Sequence, residues 1–558
     1  MAENQKPNAE EAGETMAGCP VKMDNGLPCG RLIHHAPTGV DETPVCLMHS
    51  RDPNKSDEEF QKEFESILEK AGDGVADFTR FVFPNADYSG REFKAVCIFQ
   101  HATFTQNAVF RGATFTRRAD FSWASFTQDA VFFGARFTQD ADFLGAIFTQ
   151  AAVFIRATFT QDVYFDGATF AQYAHFESAT FTQDANFAVA TFTQDADFFG
   201  ATFTQHADFS SATFKLRALF RFARFLGRVD FRETRFRGDP EMPSANDLEH
   251  PTEELARKRD SCLLPGSVLT GAYFERAEDV YFYKTYLGLA LFHNCDVSEF
   301  KFSDVTWLER PGSRKRMAFD EIVDSKCPDA SALRPKEDTA DSRNYRLIAE
   351  LYQQLKKNYD DRRDYWTAGD FHYGEMEMKR LATPPAGRIL RWLTEHKKER
   401  AAPRAWKLKQ GWHQRMGFAA WYKRWSEYGE NYTRPLGWLA FVVLLFGLAA
   451  YPCVGLRYSG PNPASAASTS RQATTGQEPP PLRWWSPCPD AGSYHTCMGL
   501  WRVGGNSLVA SFEVAAFQRQ LAFRPAYAWG RFLRLLELLL TSTFIALFLL
   551  ALRRQFRR

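Results

Sequence analysis

From Phe93 onward the hydrophobic positions of this chain recur in steps that alternate six and five residues. Phenylalanine holds every position of the series to Phe236, thirteen eleven-residue periods without an insertion. One line of it runs Phe104, Phe115, Phe126, Phe137, Phe148, Phe159, Phe170, Phe181, Phe192 and Phe203. Two residues ahead of each Phe stands alanine, from Ala102 to Ala223, with Val163 the single exception. A small residue, a variable polar one and a large one describe two inward positions flanking one outward position in a short strand. An amphipathic helix does not fit, because steps of five and six scatter around a 3.6-residue spiral. The pattern predicts a mainly β protein built on a narrow right-handed β-helix. With four faces, each coil takes two periods, or 22 residues.

The units Ala141-Asp142-Phe143, Ala185-Asn186-Phe187, Ala196-Asp197-Phe198 and Ala207-Asp208-Phe209 resemble the A-(D/N)-(L/F)-x-x unit of pentapeptide-repeat proteins. That resemblance implies a four-sided right-handed β-helix. The family's strict period is five, so the alternating sixth residue is a departure. Strict fives occur at both flanks, at Phe78, Phe83, Tyr88 and Phe93, and at Phe282, Leu287, Phe292, Val297, Phe302 and Trp307. Repeats are therefore expected over 73–237 and 266–310, with 238–265 extruded as a charged insertion loop. Cys97 and Cys295 fall at the small inward position and are expected to be core fillers.

Ahead of the repeats, residues 1–55 hold Cys19, Cys29, Cys46 and His49 in segments too short for a core of their own. Three thiols and an imidazole ending in C-x-x-H can supply a closed tetrahedral zinc site, whose metal would provide the missing folding energy. The other reading is unpaired thiols in a loose tail. His34 and His35 are alternative ligands. Residues 56–72 predict a capping helix, opened by Ser56 with Glu59 three residues on.

From Ser342 the period becomes helical. Tyr345, Ile348, Leu351, Tyr352, Leu355 and Tyr359 form one stripe, and Tyr365, Ala368, Phe371, Glu375 and Met378 another, within a connector over 311–434. Trp366 and Tyr373 are expected in its core. This segment is similar to the helical pair accompanying membrane-anchored bacterial members of the pentapeptide family.

Two apolar stretches follow at 435–456 and 532–552, each near the ~20 residues that cross ~30 Å of hydrocarbon. Arginine and lysine precede the first and close the chain at 553–558, whereas the intervening 457–531 has no lysine. The positive-inside rule then predicts an integral inner-membrane protein with both termini and the repeats in the cytoplasm. In the outer loop Cys488 and Cys497 could pair as a disulfide.

Charge narrows the function. Lys+Arg 68 against Asp+Glu 67 leaves +1, so the chain as a whole is neither a nucleic-acid binder nor an acidic mimic. It has no Walker A loop, G-x-G-x-x-G, G-x-S-x-G or H-E-x-x-H, so catalysis is not expected. Three roles remain. The first is a membrane-anchored scaffold presenting a rigid rod to an unknown protein partner, open to oligomerisation, with repeated Thr-Gln-Asp as the contact surface. The second is a two-span pore, with Ser507–Leu521 as a pore helix and Glu537 and Thr541 facing its interior, against which stands a local Arg534–Glu537 pair. The third is a DNA-mimic topoisomerase inhibitor, which the later arginines from Arg217 to Arg235 weaken.

Overall fold

The structure, a computed structural model, describes residues 18–34, 41, 43–236, 266–323, 344–382, 417–458, 496–518, 523–525 and 527–556. It divides into two compact units, Met1–Met378 and Lys379–Arg558.

The first unit is a parallel β-solenoid of about nine turns. Its strands are mostly two residues long and stack into four parallel sheets of ten, seven, nine and eight strands. Within the eleven-residue block the register advances one coil at a time, pairing Ala119 with Ala141 and Asp120 with Asp142, 22 residues apart. Alanine faces alanine and Phe126 faces Phe148. Each ring therefore lies flat on the ring one coil away: Phe104–Phe126 centroids are 4.7 Å apart at 1°, and Phe126–Phe148 are 4.8 Å apart at 3°. Across the coil the rings meet edge to face, as Phe121 and Phe132 do at 5.7 Å and 81°. Both geometries are favoured by the ring quadrupole, in addition to burial of 150–250 Å² per ring, about 25 cal/mol for each Å². Cys97 and Cys295 are buried in the wall as fillers.

The alternation of five and six corresponds to two kinds of corner. Five-residue corners close as type II β-turns: the Ala113 amide donates to the Phe110 carbonyl at 3.0 Å, and Gly112 between them has φ +62°. Positive φ then recurs every eleven residues from Gly90 to Glu233. The Asp or Asn of each A-(D/N)-F unit serves this corner, since Asp142 Oδ1 accepts from the Leu144 amide at 3.0 Å and Asn186 Oδ1 from the Ala188 amide at 2.8 Å. Six-residue corners carry Thr-Gln-Asp, whose Thr side chain in the early coils and Asp side chain from Asp129 onward stitch successive coils. Thr127 Oγ1 donates to the Phe104 carbonyl at 3.0 Å, and Asp162 Oδ1 accepts from the Asp184 amide at 3.1 Å. The threonines and aspartates expected as contact surface thus also carry coil-to-coil bonds.

Both open ends are covered. Helix α1 (Asp57–Ala71) is capped by Ser56 and turns Phe60 and Phe64 onto the first coil, with Phe64 at 4.6 Å from Phe78. At the other end helices α2 (Tyr345–Asp361) and α3 (Tyr365–Ala382) form the expected hairpin. They serve as a lid: Asn358 Nδ2 donates to the Val297 and Phe300 carbonyls at 2.9 and 2.6 Å, Arg362 to Phe300 and Phe302, and Trp307 Nε1 to Tyr359 Oη at 2.8 Å. These donors take up carbonyls that no further coil exists to pair. Tyr373 is buried as expected, but Trp366 is 68% exposed: it occupies the outer side of α3, one residue after a helix start set by Tyr365.

The second unit contains α4 (Phe418–Ser426), α5 (Thr433–Leu445), a π turn (Phe446–Ala450), α6 (Tyr451–Val454), α7 (Thr496–Ala515) and α8 (Ala528–Phe556). Thr433–Val454 and Ala528–Arg554, with mean hydropathy 2.0 and 2.3, are long and apolar enough to cross a membrane. The stretch Ser507–Leu521 is not one helix. α7 starts earlier and ends at Ala515, before Phe517 at φ +56°. α7 packs on the π turn and on both apolar helices.

Phe165→Ala should cost about 3–5 kcal/mol, because its ring is stacked on both Phe143 (4.8 Å) and Phe187 (4.9 Å) in a wall that cannot close over the gap. Denaturant midpoints of the full chain followed at β-sheet wavelengths measure this, and an unchanged midpoint would contradict it.

Candidate metal centre

The segment before α1 brings four donors together through its backbone. A short hairpin closed by the Lys22–Pro28 bridge sets Cys19 and Cys29 side by side, with Cys19 N donating to Arg31 O at 2.8 Å and Gly30 N to Cys19 O at 3.0 Å. The strands approach so closely that a Cβ on Gly18 would lie 2.7 Å from the Gly30 oxygen. Cys46 and His49 follow on one turn, where the His49 and Ser50 amides both donate to the Cys46 carbonyl at 3.0 and 2.9 Å. The four ligand atoms of Cys19, Cys29, Cys46 and His49 lie within 4.8 Å of one another.

Two sulfurs held ~2.3 Å from a tetrahedral zinc stand ~3.7 Å apart. The Cys29 and Cys46 sulfurs are 3.7 Å apart, and His49 Nδ1 lies 3.4 Å from Cys19 Sγ and 3.2 Å from Cys46 Sγ. His49 Nε2 donates to the Thr79 carbonyl at 3.0 Å, which leaves Nδ1 without a proton and aimed at the sulfurs. Cys19, Cys46 and His49 are buried and Cys29 is half-buried. The Cys29 thiol is pulled down to about 3 by its hydrogen bond to Cys46, with help from His49 and from Arg31, whose Nη1 donates to Cys29 Sγ at 3.1 Å. The same contact, with burial, pushes Cys46 up. One proton is thus shared by two sulfurs, and a divalent ion would take its place. The substitute ligands are not used: His34 faces Asp52 at 3.6 Å, and His35 lies outside the described residues.

Sequence reasoning missed what fastens this centre to the solenoid. Lys55 Nζ donates to the carbonyls of Leu47, Ser50 and Val82, at 3.1, 2.8 and 2.5 Å, and stands 4.8 Å over the Phe60 ring. Burial lowers its pKa to about 8. The Val82 amide donates to Met48 O at 2.8 Å. The metal turn therefore occupies the open edge of the first coil.

Residues 99–147 and 143–191 match the family model of pentapeptide repeats (9 copies). The solenoid belongs to the pentapeptide-repeat family. Pentapeptide repeats are structural units, and the matched span begins at residue 99, well after the Cys46–His49 turn. No curated protein and no solved structure matches the chain.

The remaining candidates lie in the second unit. Glu537 and Thr541 are fully buried on α8. The Tyr451 and Ser511 hydroxyls contact the two Glu537 carboxyl oxygens, and Thr541 Oγ1 donates to the Glu537 carbonyl at 2.9 Å. The Arg534–Glu537 pair weighed above is not formed, because the hydroxyls of two neighbouring helices occupy both carboxyl oxygens. Cys488 lies outside the described residues, and with it the expected disulfide to Cys497.

Lys55→Met should destabilise the first coil by about 1–3 kcal/mol, since carbonyl oxygens buried under the ammonium lose their donor. Hydrogen exchange at Val82 and its neighbours would accelerate. Protection equal to that of the parent would refute the fastening role.

Proposed function

We propose that the chain is a membrane-anchored scaffold whose pentapeptide-repeat rod, tipped by a structural zinc site, presents its edges to a protein partner. The observation that carries this reading is the use of large apolar residues at strained, exposed corners. Glycine fills the positive-φ position at 112, 134, 145, 167 and 200. Trp123, Val189 and Phe222 fill it elsewhere, at φ +58°, +59° and +56°, and they are 54%, 62% and 57% exposed. A left-handed conformation costs an L-residue ~1–2 kcal/mol; Trp123 recovers part of it against His101 and Phe222 against Phe199, but more than half of each side chain stays exposed. Trp123 and Val189 stand three coils apart on one corner and Phe222 on another, and their exposed apolar area is what the corners can offer to a partner.

Anchoring rests on the two apolar helices, and the excess of lysine and arginine outside the intervening segment supports a cytoplasmic rod. The Cys₃His geometry supports zinc. The pore reading is not adopted, because Glu537 is fully buried among one chain's helices, against the Tyr451 and Ser511 hydroxyls.

Four measurements test the proposal. The chain should stay in the pellet after alkaline carbonate extraction; release would remove the anchor. Purified chain should carry about one zinc, lost in Cys46→Ser; zinc-free parent protein would end that claim. Val189→Gly should raise stability by about 1 kcal/mol, while Trp123→Gly in a proximity-labelling fusion should lose a subset of labelled neighbours. An identical neighbour list would sink the docking role.

A further inference from the structure

We propose that Glu537, with the hydroxyls around it, is an intramembrane site for a single positive charge, either a proton or an alkali-metal ion. The inference rests on reading the two apolar helices as membrane spans.

Depth is the first argument. Glu537 lies nine residues after Ala528, and Val443 ten residues after Thr433. At ~1.5 Å per residue Val443 sits ~15 Å inside its helix, near the middle of a ~30 Å hydrocarbon layer, and Ser511 joins it to Glu537, five residues (~7.5 Å) inside the 532–552 stretch. A charge there is costly unless it is compensated. The ionisable groups facing the carboxyl are Tyr451 from the first apolar helix and Arg534 one turn before it on α8. Arg534 is near enough to act on the carboxyl through space but makes no ion pair with it, so among the described residues no cation contacts Glu537 directly.

Donor counting is the second. Ser511 Oγ contacts Glu537 Oε1 and also lies 2.9 Å from the Val443 carbonyl oxygen. A serine hydroxyl has one proton, whereas an ionised carboxylate and a carbonyl can only accept. Both contacts are satisfied only if the carboxyl brings a proton of its own or a cation lies among the oxygens.

Two further features point to a ligand. Ser507, one turn before Ser511, is fully buried and its Oγ has no partner. The Phe446–Ala450 segment is a π turn, a local widening often found at functional sites, and Gly447 within it lets Leu508 approach so closely that a Cβ would lie 2.7 Å from its side chain. Carboxylate, hydroxyl and carbonyl oxygens are the donors that hard monovalent cations take, and half-open helices supply them in membranes.

If both ligands use the site they exchange as Glu-COOH + Na⁺ → Glu-COO⁻·Na⁺ + H⁺, with the proton leaving to buffer. The test uses full-length protein in lipid nanodiscs, comparing the parent with Glu537→Gln by infrared spectroscopy, in choline chloride and then in sodium chloride. A protonated-acid carbonyl band present in the parent, absent in Glu537→Gln and indifferent to sodium identifies the proton. A band that sodium abolishes, or one sodium bound per parent chain and none in Glu537→Gln, identifies the metal ion, and Ser507→Ala should then weaken sodium binding. A parent with neither an acid band nor Glu537-dependent sodium carries a bare carboxylate and overturns the proposal. Matching thermal melts of parent and Glu537→Gln establish that the variant is folded. Carbonate extraction reads the anchor separately, so loss of the spans and loss of the site are told apart.

Discussion

Phenylalanine stacked on phenylalanine at intervals of 22 residues is the interaction on which the rest of the first unit depends. Strands of two residues make few hydrogen bonds each and have no independent stability. The ring columns supply the burial that holds them in register, and the alanines opposite keep the coil narrow enough for the rings to meet across it. Once the columns are fixed, the corners must occur at set positions, and the side chains that serve them follow: Asp or Asn at the tight turns, Thr and Asp at the wide ones.

A stack of this kind has two ends, and each presents unpaired backbone and bare rings. The chain closes them by different means. At the start, α1 covers the rings while the Cys46–His49 turn and Lys55 bind the strand edge. At the finish, Trp307 and the α2–α3 hairpin cover the rings, and Asn358 and Arg362 take the free carbonyls. The Cys46–His49 turn and the helical pair thus have one physical task, although nothing in their composition is alike.

Much of this was legible in the residues. A period kept without a gap from Phe93 to Phe236 leaves few folds open, and the Cys₃His donor set was visible because thiols and imidazoles are rare and their chemistry narrow. Lys55, Thr79 and Arg362 were not visible, because they act through backbone carbonyls that any residue could offer. Trp366 was misjudged for a related reason: an aromatic residue near a helical stripe reads as core until the helix start fixes which side it faces. The helix α7 was only half seen, since its glycines and its arginine hide an apolar face that small residues, rather than hydrophobic ones, bring against its neighbours.

The tight corners also bear on ancestry. Because one full circuit is a self-contained cassette whose first and last residues meet identical neighbours, unequal crossing-over in the gene could delete or duplicate a circuit and leave both lids seated. Near-identical tandem cassettes favour such slippage, so the length of the rod is a heritable variable that can drift between close descendants without any change in how it folds.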